Sequence, residues 1–176
     1  MAQLKGVFQS LVLMNFSTVD FVKYANKALS NCLERNTFVT LSIFIIDTKN
    51  KNITSTRAGH CPTLYYNAEE KCIYQTNKKG LGLGILRNNQ FDNHVIEITQ
   101  NYEPNDVLFL YTDGIIEARN KEKEEYGTKQ LEESLKQNGH LNSTLIIQNV
   151  INDLYAFCGD QKLEDDYTCL AVKFIK

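Results

Sequence analysis

Leu108-Phe109-Leu110-Tyr111-Thr112-Asp113-Gly114 is the stretch on which the reading of this chain turns. An apolar run stops at a lone carboxylate, and a glycine follows at once. A buried strand carries a charge at its end only where that charge is paired, hydrogen-bonded or bound to a cation. A second acidic group, Glu164-Asp165-Asp166, stands beside another apolar segment, Thr168-Cys169-Leu170-Ala171-Val172. Two acidic strand ends far apart in sequence can meet in space and hold a hard divalent metal. Short carboxylates suit Mg2+ or Mn2+, which bind through a few oxygens and keep several waters. Gly114 leaves room for close backbone approach. Two plainer readings stand beside this one. Asp113 can cap the helix that begins at Gly114-Ile115-Ile116, and Asp165-Asp166 can be a solvated turn.

Outward from this stretch, the pattern changes period twice. Residues 3–14 place Leu4, Val7, Phe8, Leu11 and Val12 at helical spacing. Ser17 and Asp20 form a weak capping box for a second helix. Its stripe is Phe21, Ala25, Ala28, Leu29 and Cys32, and its end is expected near Arg35-Asn36. Thr37 to Asp47 is β-branched and aromatic, which suits a strand. The polar turn Thr48-Lys49-Asn50-Lys51-Asn52 returns it as Ile53 to Arg57. Thr63–Tyr66 and Cys72–Gln75 flank Asn67-Ala68-Glu69-Glu70 as a second hairpin. Val95–Thr99 alternates, and Asp106–Tyr111 follows the turn Glu103-Pro104-Asn105. Helices return after Gly114. A short one carries Leu131 and Leu135. A longer one, Thr144–Phe157, has Ile147, Val150, Ile151, Leu154 and Phe157 on one side, Asn142 or Ser143 as its cap, and Cys158-Gly159 at its end. Tyr167–Phe174 is the last strand. Helices, antiparallel strands, helices and a strand give an α+β fold and do not give alternating βαβ units.

Composition bounds the function. The chain has 176 residues, 43% of them hydrophobic, which suits one domain. A formal net charge of -2 gives no electrostatic footprint for nucleic acid. Five cysteines without a CxxC pair point away from a disulfide framework or a zinc site and toward a reducing compartment. The first residues lack the long apolar run of a signal peptide, and no segment is long enough to span a bilayer. A cytoplasmic protein is expected. Ala58-Gly59-His60 reads better as a tight turn with a locally bonded histidine than as an acid or base. Gly80-Leu81-Gly82-Leu83-Gly84 is GxGxG with no helix signal after it, so it reads as a flexible turn or a strand with close backbone approach, not a phosphate loop. Glu122-Lys123-Glu124-Glu125 reads as solvated surface, with Tyr126-Gly127 anchoring the loop.

Taken in order, these motifs resemble the SpoIIE-type branch of the PPM family, the metal-dependent serine/threonine protein phosphatases. The residues that carry the resemblance are Phe38-Val39-Thr40, Ala58-Gly59-His60 with Pro62, and Gly80 with Leu83-Gly84-Ile85. They continue with Tyr111-Thr112-Asp113-Gly114, Glu117-Ala118, Asn120, Tyr126-Gly127 and Asp165-Asp166-Tyr167-Thr168. Asn26 sits where the family tends to place an asparagine. The resemblance implies an antiparallel β-sandwich flanked by helices, with Asp113 and Asp165 as ligands of Mn2+ or Mg2+. Asp166 is the weaker candidate of its pair. It also implies hydrolysis of phosphoserine or phosphothreonine by water with no phosphoenzyme, on a protein substrate expected to be a STAS-type anti-sigma-factor antagonist.

One family segment has no counterpart here. Relatives begin with strands carrying an Asp-x-x-Gly-His-Gly type motif, which supplies a metal-bridging Asp, and then a helix like residues 1–14. The chain is expected to be a single domain over 1–176, N-terminally truncated, which corresponds to about three quarters of the family's domain. Without the bridging Asp, metal binding is expected to weaken, and a non-catalytic pseudophosphatase that recognises the same partner becomes the alternative. An open sheet edge favours a homodimer by strand pairing. The loop around Arg87-Asn88-Asn89-Gln90 is a candidate for partner contact.

Overall fold

A computed structural model describes residues 2–34, 36–76 and 80–175. In chain order the elements are α1 (Ala2–Val12), α2 (Thr18–Ser30), β1 (Leu41–Asp47), β2 (Asn52–Ala58), β3 (Leu64–Asn67), β4 (Cys72–Gln75), a 3-10 helix (Asn89–His94), β5 (Glu97–Asn101), β6 (Val107–Tyr111), α3 (Asp113–Ile116), α4 (Gly127–Asn138), α5 (Ser143–Cys158) and β7 (Cys169–Lys173). They form two compact units, one of residues 1–60 and 78–101, the other of residues 61–77 and 102–176. No helix among the described residues is long and apolar enough to cross a membrane.

The first unit holds a three-stranded antiparallel sheet in the order β1-β2-β5. Phe21, Val22, Ala25 and Leu29 of α2 pack with Ala58, Leu83 and Phe91. A fully buried Val, Leu or Phe among them contributes about 1.5–3 kcal/mol. The Ser17 hydroxyl accepts from the Asp20 amide at 3.1 Å, so Ser17 caps the helix as expected. Buried Asn26 donates to the Leu86 carbonyl at 2.9 Å and accepts from the Gly84 amide at 2.8 Å. It thereby fixes a loop that has no strand partners of its own beyond the bridge between Val39 and Leu83. The glycine run is a close approach, as its sequence suggests: a Cβ on Gly80 would lie 2.1 Å from the Arg57 carbonyl oxygen.

The structure differs from the sequence reading at several points. α2 stops at Ser30, and Arg87 donates to the carbonyls of Ser30 and Leu33 just beyond it, at 3.4 and 3.0 Å. A guanidinium on these carbonyls satisfies the helix end and complements its dipole. Cys32 is therefore exposed and outside the buried stripe. β1 starts at Leu41, not Thr37, because Val39 pairs only with Leu83. The 3-10 helix at Asn89–His94 has no counterpart in the sequence reading; Asn88 caps it, accepting from the Gln90 amide at 3.0 Å.

The second unit holds a four-stranded antiparallel sheet in the order β4-β3-β6-β7. Leu64, Tyr66, Val107 and Phe109 of this sheet pack with Leu131 and Leu135 of α4 and with Ile146, Val150 and Leu154 of α5. The buried ridge of α5 is Ile146, Val150, Leu154 and Cys158, a strict i, i+4 series, whereas Ile147, Ile151 and Phe157 are only partly covered. The last strand begins at Cys169, two residues after the expected Tyr167. Asp106, at the entrance to β6, is buried. Its carboxylate accepts from the Ala68 amide at 2.8 Å, the Glu103 amide at 2.9 Å and the Tyr65 hydroxyl. One acid thus ties the turn before β6 to the hairpin beside it.

Candidate metal centre

The candidate site lies in the second unit, where β6 and β7 end together. Tyr111 pairs with Cys169 at the end of the ladder. Beyond it the Thr112 amide donates to the Thr168 carbonyl at 3.0 Å, and the Thr168 amide donates back to the Thr112 hydroxyl at 2.8 Å. These bonds hold the segment 112–114 against the segment 165–168. Gly114 makes the approach possible: a Cβ there would stand 2.5 Å from the Asp166 carbonyl oxygen. Real side chains do not occupy such a distance, so the glycine is required by the neighbouring chain.

The two acids that the sequence reading selects are therefore carried by touching segments. Asp113 is the first residue of α3. Thr112 holds the cap position without a side-chain cap bond, so the capping role considered for Asp113 is not what it performs. Its Oδ1 accepts from the Gly114 amide at 3.1 Å. Asp165 does the same one residue on, accepting from the Asp166 amide at 2.8 Å. Both carboxylates are exposed, and neither forms an ion pair among the described residues. Asp113 thus contrasts with Asp106 at the other end of the same strand, whose oxygens are used up by internal donors.

A cleft of about 100 Å3 beside the contact is lined by Gly114, Glu117, Ala118, Arg119, Glu164 and Asp165. Arg119 is its one cationic side chain, and it pairs with Glu125 at 2.9 Å. That pair, with Glu164 and Glu117 nearby, raises the already high pKa of the guanidinium. Glu122-Lys123-Glu124-Glu125 is exposed, and Tyr126 anchors the loop as expected: it is buried, donates its amide to Ala118 at 2.8 Å and meets the Phe157 ring edge-on. On the outer side of the acidic loop, Tyr155 of α5 stands 3.2 Å, oxygen to oxygen, from Tyr167. The sequence reading did not single out Tyr155; its period along α5 gives an exposed position and no sign of a partner.

The donor set is open. Among the described residues no group of three or more His, Cys, Asp or Glu side chains is arranged to hold a metal ion. His60 belongs to the first unit, where its Nδ1 lies 3.2 Å from the Thr40 hydroxyl and its carbonyl accepts from Arg57 at 2.5 Å. That is the local role expected of it. The cysteines are free thiols. Burial pushes the thiols of Cys158 and Cys169 up, which suits the small apolar packing role read from the sequence.

A sequence model of the family described as Stage II sporulation protein E (SpoIIE) matches residues 1–175. The chain is 24% identical over 176 residues to the phosphoserine phosphatase RsbU of Bacillus subtilis (strain 168), covering 98% of this chain and 50% of RsbU. It spans half or less of the length of the curated relatives it matches. Among solved structures, the SiaA-PP2C domain of Pseudomonas aeruginosa matches with a TM-score of 0.82 at 12% identity, over 98% of this chain and 67% of that one. The phosphatase domain of SpoIIE from Bacillus subtilis, presoaked with Mn, matches with a TM-score of 0.65 at 19% identity, over 97% of this chain and 71% of that one. At these identities the structural likeness is one of fold: mixed helices and antiparallel sheets in the PP2C phosphatase arrangement. With a family match that runs nearly end to end, the chain belongs to the SpoIIE family.

Proposed function

We propose that this chain is part of a metal-dependent phosphatase that hydrolyses phosphoserine or phosphothreonine on a protein. The observation that carries the reading is the contact at Gly114, which brings the Asp113 and Asp165 segments together in a chain of the SpoIIE family. The donors fit a hard divalent ion. Two short carboxylates on neighbouring backbones are the number that Mg2+ commonly takes from protein, water and substrate oxygens supplying the rest. Asp113 and Asp165 would hold Mn2+ or Mg2+, with Asp166 the weaker member of its pair. When bound, such an ion offers a Lewis acid to phosphoryl oxygens and makes water acidic enough to serve as nucleophile near neutral pH.

The chain's own residues supply position. Thr112 and Thr168 lock the two acidic segments in register, and Gly114 sets their spacing. Arg119 places one positive group on the cleft, where phosphoryl oxygens gather charge. By likeness to RsbU, whose name describes a phosphoserine phosphatase, the reading extends to a cytoplasmic partner-switching system. Its substrate would be a phosphorylated STAS-type anti-sigma-factor antagonist. The single domain of which residues 1–176 form part would draw its first acidic motif from a segment that this sequence does not contain.

A second reading has its own support. The absence of a three-ligand group among the described residues favours a pseudophosphatase that binds the same partner without turnover. Calorimetry with Mn2+, on this chain and on Asp113→Asn, separates them. Binding that is lost in the variant, together with Mn2+-dependent release of phosphate from a phosphoserine STAS protein, supports the phosphatase. Partner binding that persists with no metal binding and no turnover supports the pseudophosphatase. Equal Mn2+ affinity in both forms removes Asp113 from the site.

A further inference from the structure

The far end of β6 carries a cleft of the opposite character. Tyr66 of β3 faces Val107, the first residue of β6, so it lies a strand's length from Asp113. Beside it a cleft of about 430 Å3 is lined by Tyr66, Lys71, Glu133, Lys136, Gln137 and His140. That volume falls within the range of small-molecule sites. Lys71 comes from the β3–β4 turn, where it holds a φ of 53°. Lys136 and Gln137 lie in the last turn of α4, and His140 follows it.

Two independent observations mark this cleft. Neither Lys71 nor Lys136 forms an ion pair among the described residues, and Glu133, the one carboxylate of the lining, forms none either. Tyr66 is 3% exposed. Its ring lies against Gly139, where a Cβ would come within 2.6 Å of it. Its hydroxyl makes no hydrogen bond among the described residues and is not itself buried; it opens onto the cleft. Burial and the nearby Asp106 carboxylate push the phenol up, so it stays a donor.

We propose that this cleft binds a phosphate group. Lys71 and Lys136 supply charge, and Tyr66 and Gln137 supply hydrogen bonds. Ammonium groups serve compact oxyanions as point charges. Glu133 favours an oxyanion that can itself donate, as hydrogen phosphate or a protonated ester does. The site does not depend on the phosphatase reading.

The test is a 1H-15N NMR titration of the whole chain with inorganic phosphate, in EDTA and at constant ionic strength. Shifts are expected at Lys71, Lys136, Gln137, Gly139 and His140. The double variant Lys71→Gln, Lys136→Gln should weaken binding about tenfold or more. Tyr66→Phe should weaken it several-fold without lowering the melting temperature, because that hydroxyl has no internal partner. Asp113→Asn should leave phosphate binding unchanged, which separates this site from the metal centre. Methyl phosphate, run in parallel, distinguishes the source: equal affinity points to an esterified phosphate, and loss points to the free ion. Either result supports the site. Shifts that chloride reproduces, that survive the double lysine variant, or that fail to appear by about 20 mM phosphate overturn it.

Discussion

At the scale of single residues, the two ends of β6 carry acids with opposite tasks. Asp106 is surrounded by donors and its burial is complete. Asp106→Ala would leave the Tyr65 hydroxyl and the amides of Ala68 and Glu103 without their acceptor. Each buried group so orphaned costs about 1–3 kcal/mol. Urea unfolding should therefore show a loss of about 3 kcal/mol or more; a loss under about 1 kcal/mol would mean that water replaces the carboxylate. Asp113→Asn keeps the one acceptor oxygen that Asp113 uses. It should leave the unfolding midpoint in place and lower Mn2+ affinity about tenfold or more, as calorimetry would show. Asn26 behaves like Asp106 in the other unit. Asn26→Leu strands the Gly84 amide and the Leu86 carbonyl, and should cost about 2–4 kcal/mol. The sequence placed Asn26 on a family position but could not say why, since its partners lie 58 and 60 residues away.

At the scale of elements, hairpins and helix starts were legible because their signals are local. The turn at Thr48–Asn52, the cap at Ser17 and the cap at Asn142 are decided by residues within four positions of each other. The Asn142 side chain accepts from the Leu145 amide at 2.9 Å. Asn142→Ala should then cost about 1 kcal/mol, seen as a fall in the melting temperature with the spectrum of the folded state unchanged. Ends and edges were less legible. α2 stops early where Asn31 closes its last turn on the Ala28 and Leu29 carbonyls and Arg87, far along the chain, takes the Ser30 carbonyl. The run from Thr37 has strand composition, but a strand needs a partner and finds one only from Leu41. Gly114 is the element-scale test of the site. Gly114→Ala must push α3 away from the Asp166 carbonyl, which lies 2.5 Å from where the methyl would sit. The sheet should survive while metal affinity drops. Unchanged Mn2+ binding in a folded Gly114→Ala protein would show that the spacing of the two acidic segments is immaterial.

At the scale of the whole molecule, the α+β pattern was visible in the change of period along the chain, but the division into two compact units was not. The second unit is interrupted by residues 78–101 of the first, and no composition shift marks the crossings. The units also differ in chemistry. The tyrosines with raised pKa values, Tyr65, Tyr66, Tyr74, Tyr126 and Tyr167, all belong to the second unit. Burial and the Asp153 carboxylate push Tyr126 up to about 12. The unfolded phenol releases its proton near pH ~10. Between these values the native state holds more protons than the unfolded state, so stability falls as pH rises through the window. Below it both states are protonated and Tyr126 contributes no slope. Lys173 acts in the other direction: its donation to the carbonyls of Gly139 and Leu141 buries the amine, desolvation lowers its pKa, and stability gains as pH climbs toward the ordinary lysine value. Urea midpoints should therefore be measured every half unit across the alkaline range for the wild type and for Tyr126→Phe. The wild type should weaken steadily above pH ~10, and the phenylalanine variant, which has no proton to lose there, should weaken less steeply. Parallel curves would mean that the Tyr126 hydroxyl reaches solvent as freely in the folded chain as in the unfolded one.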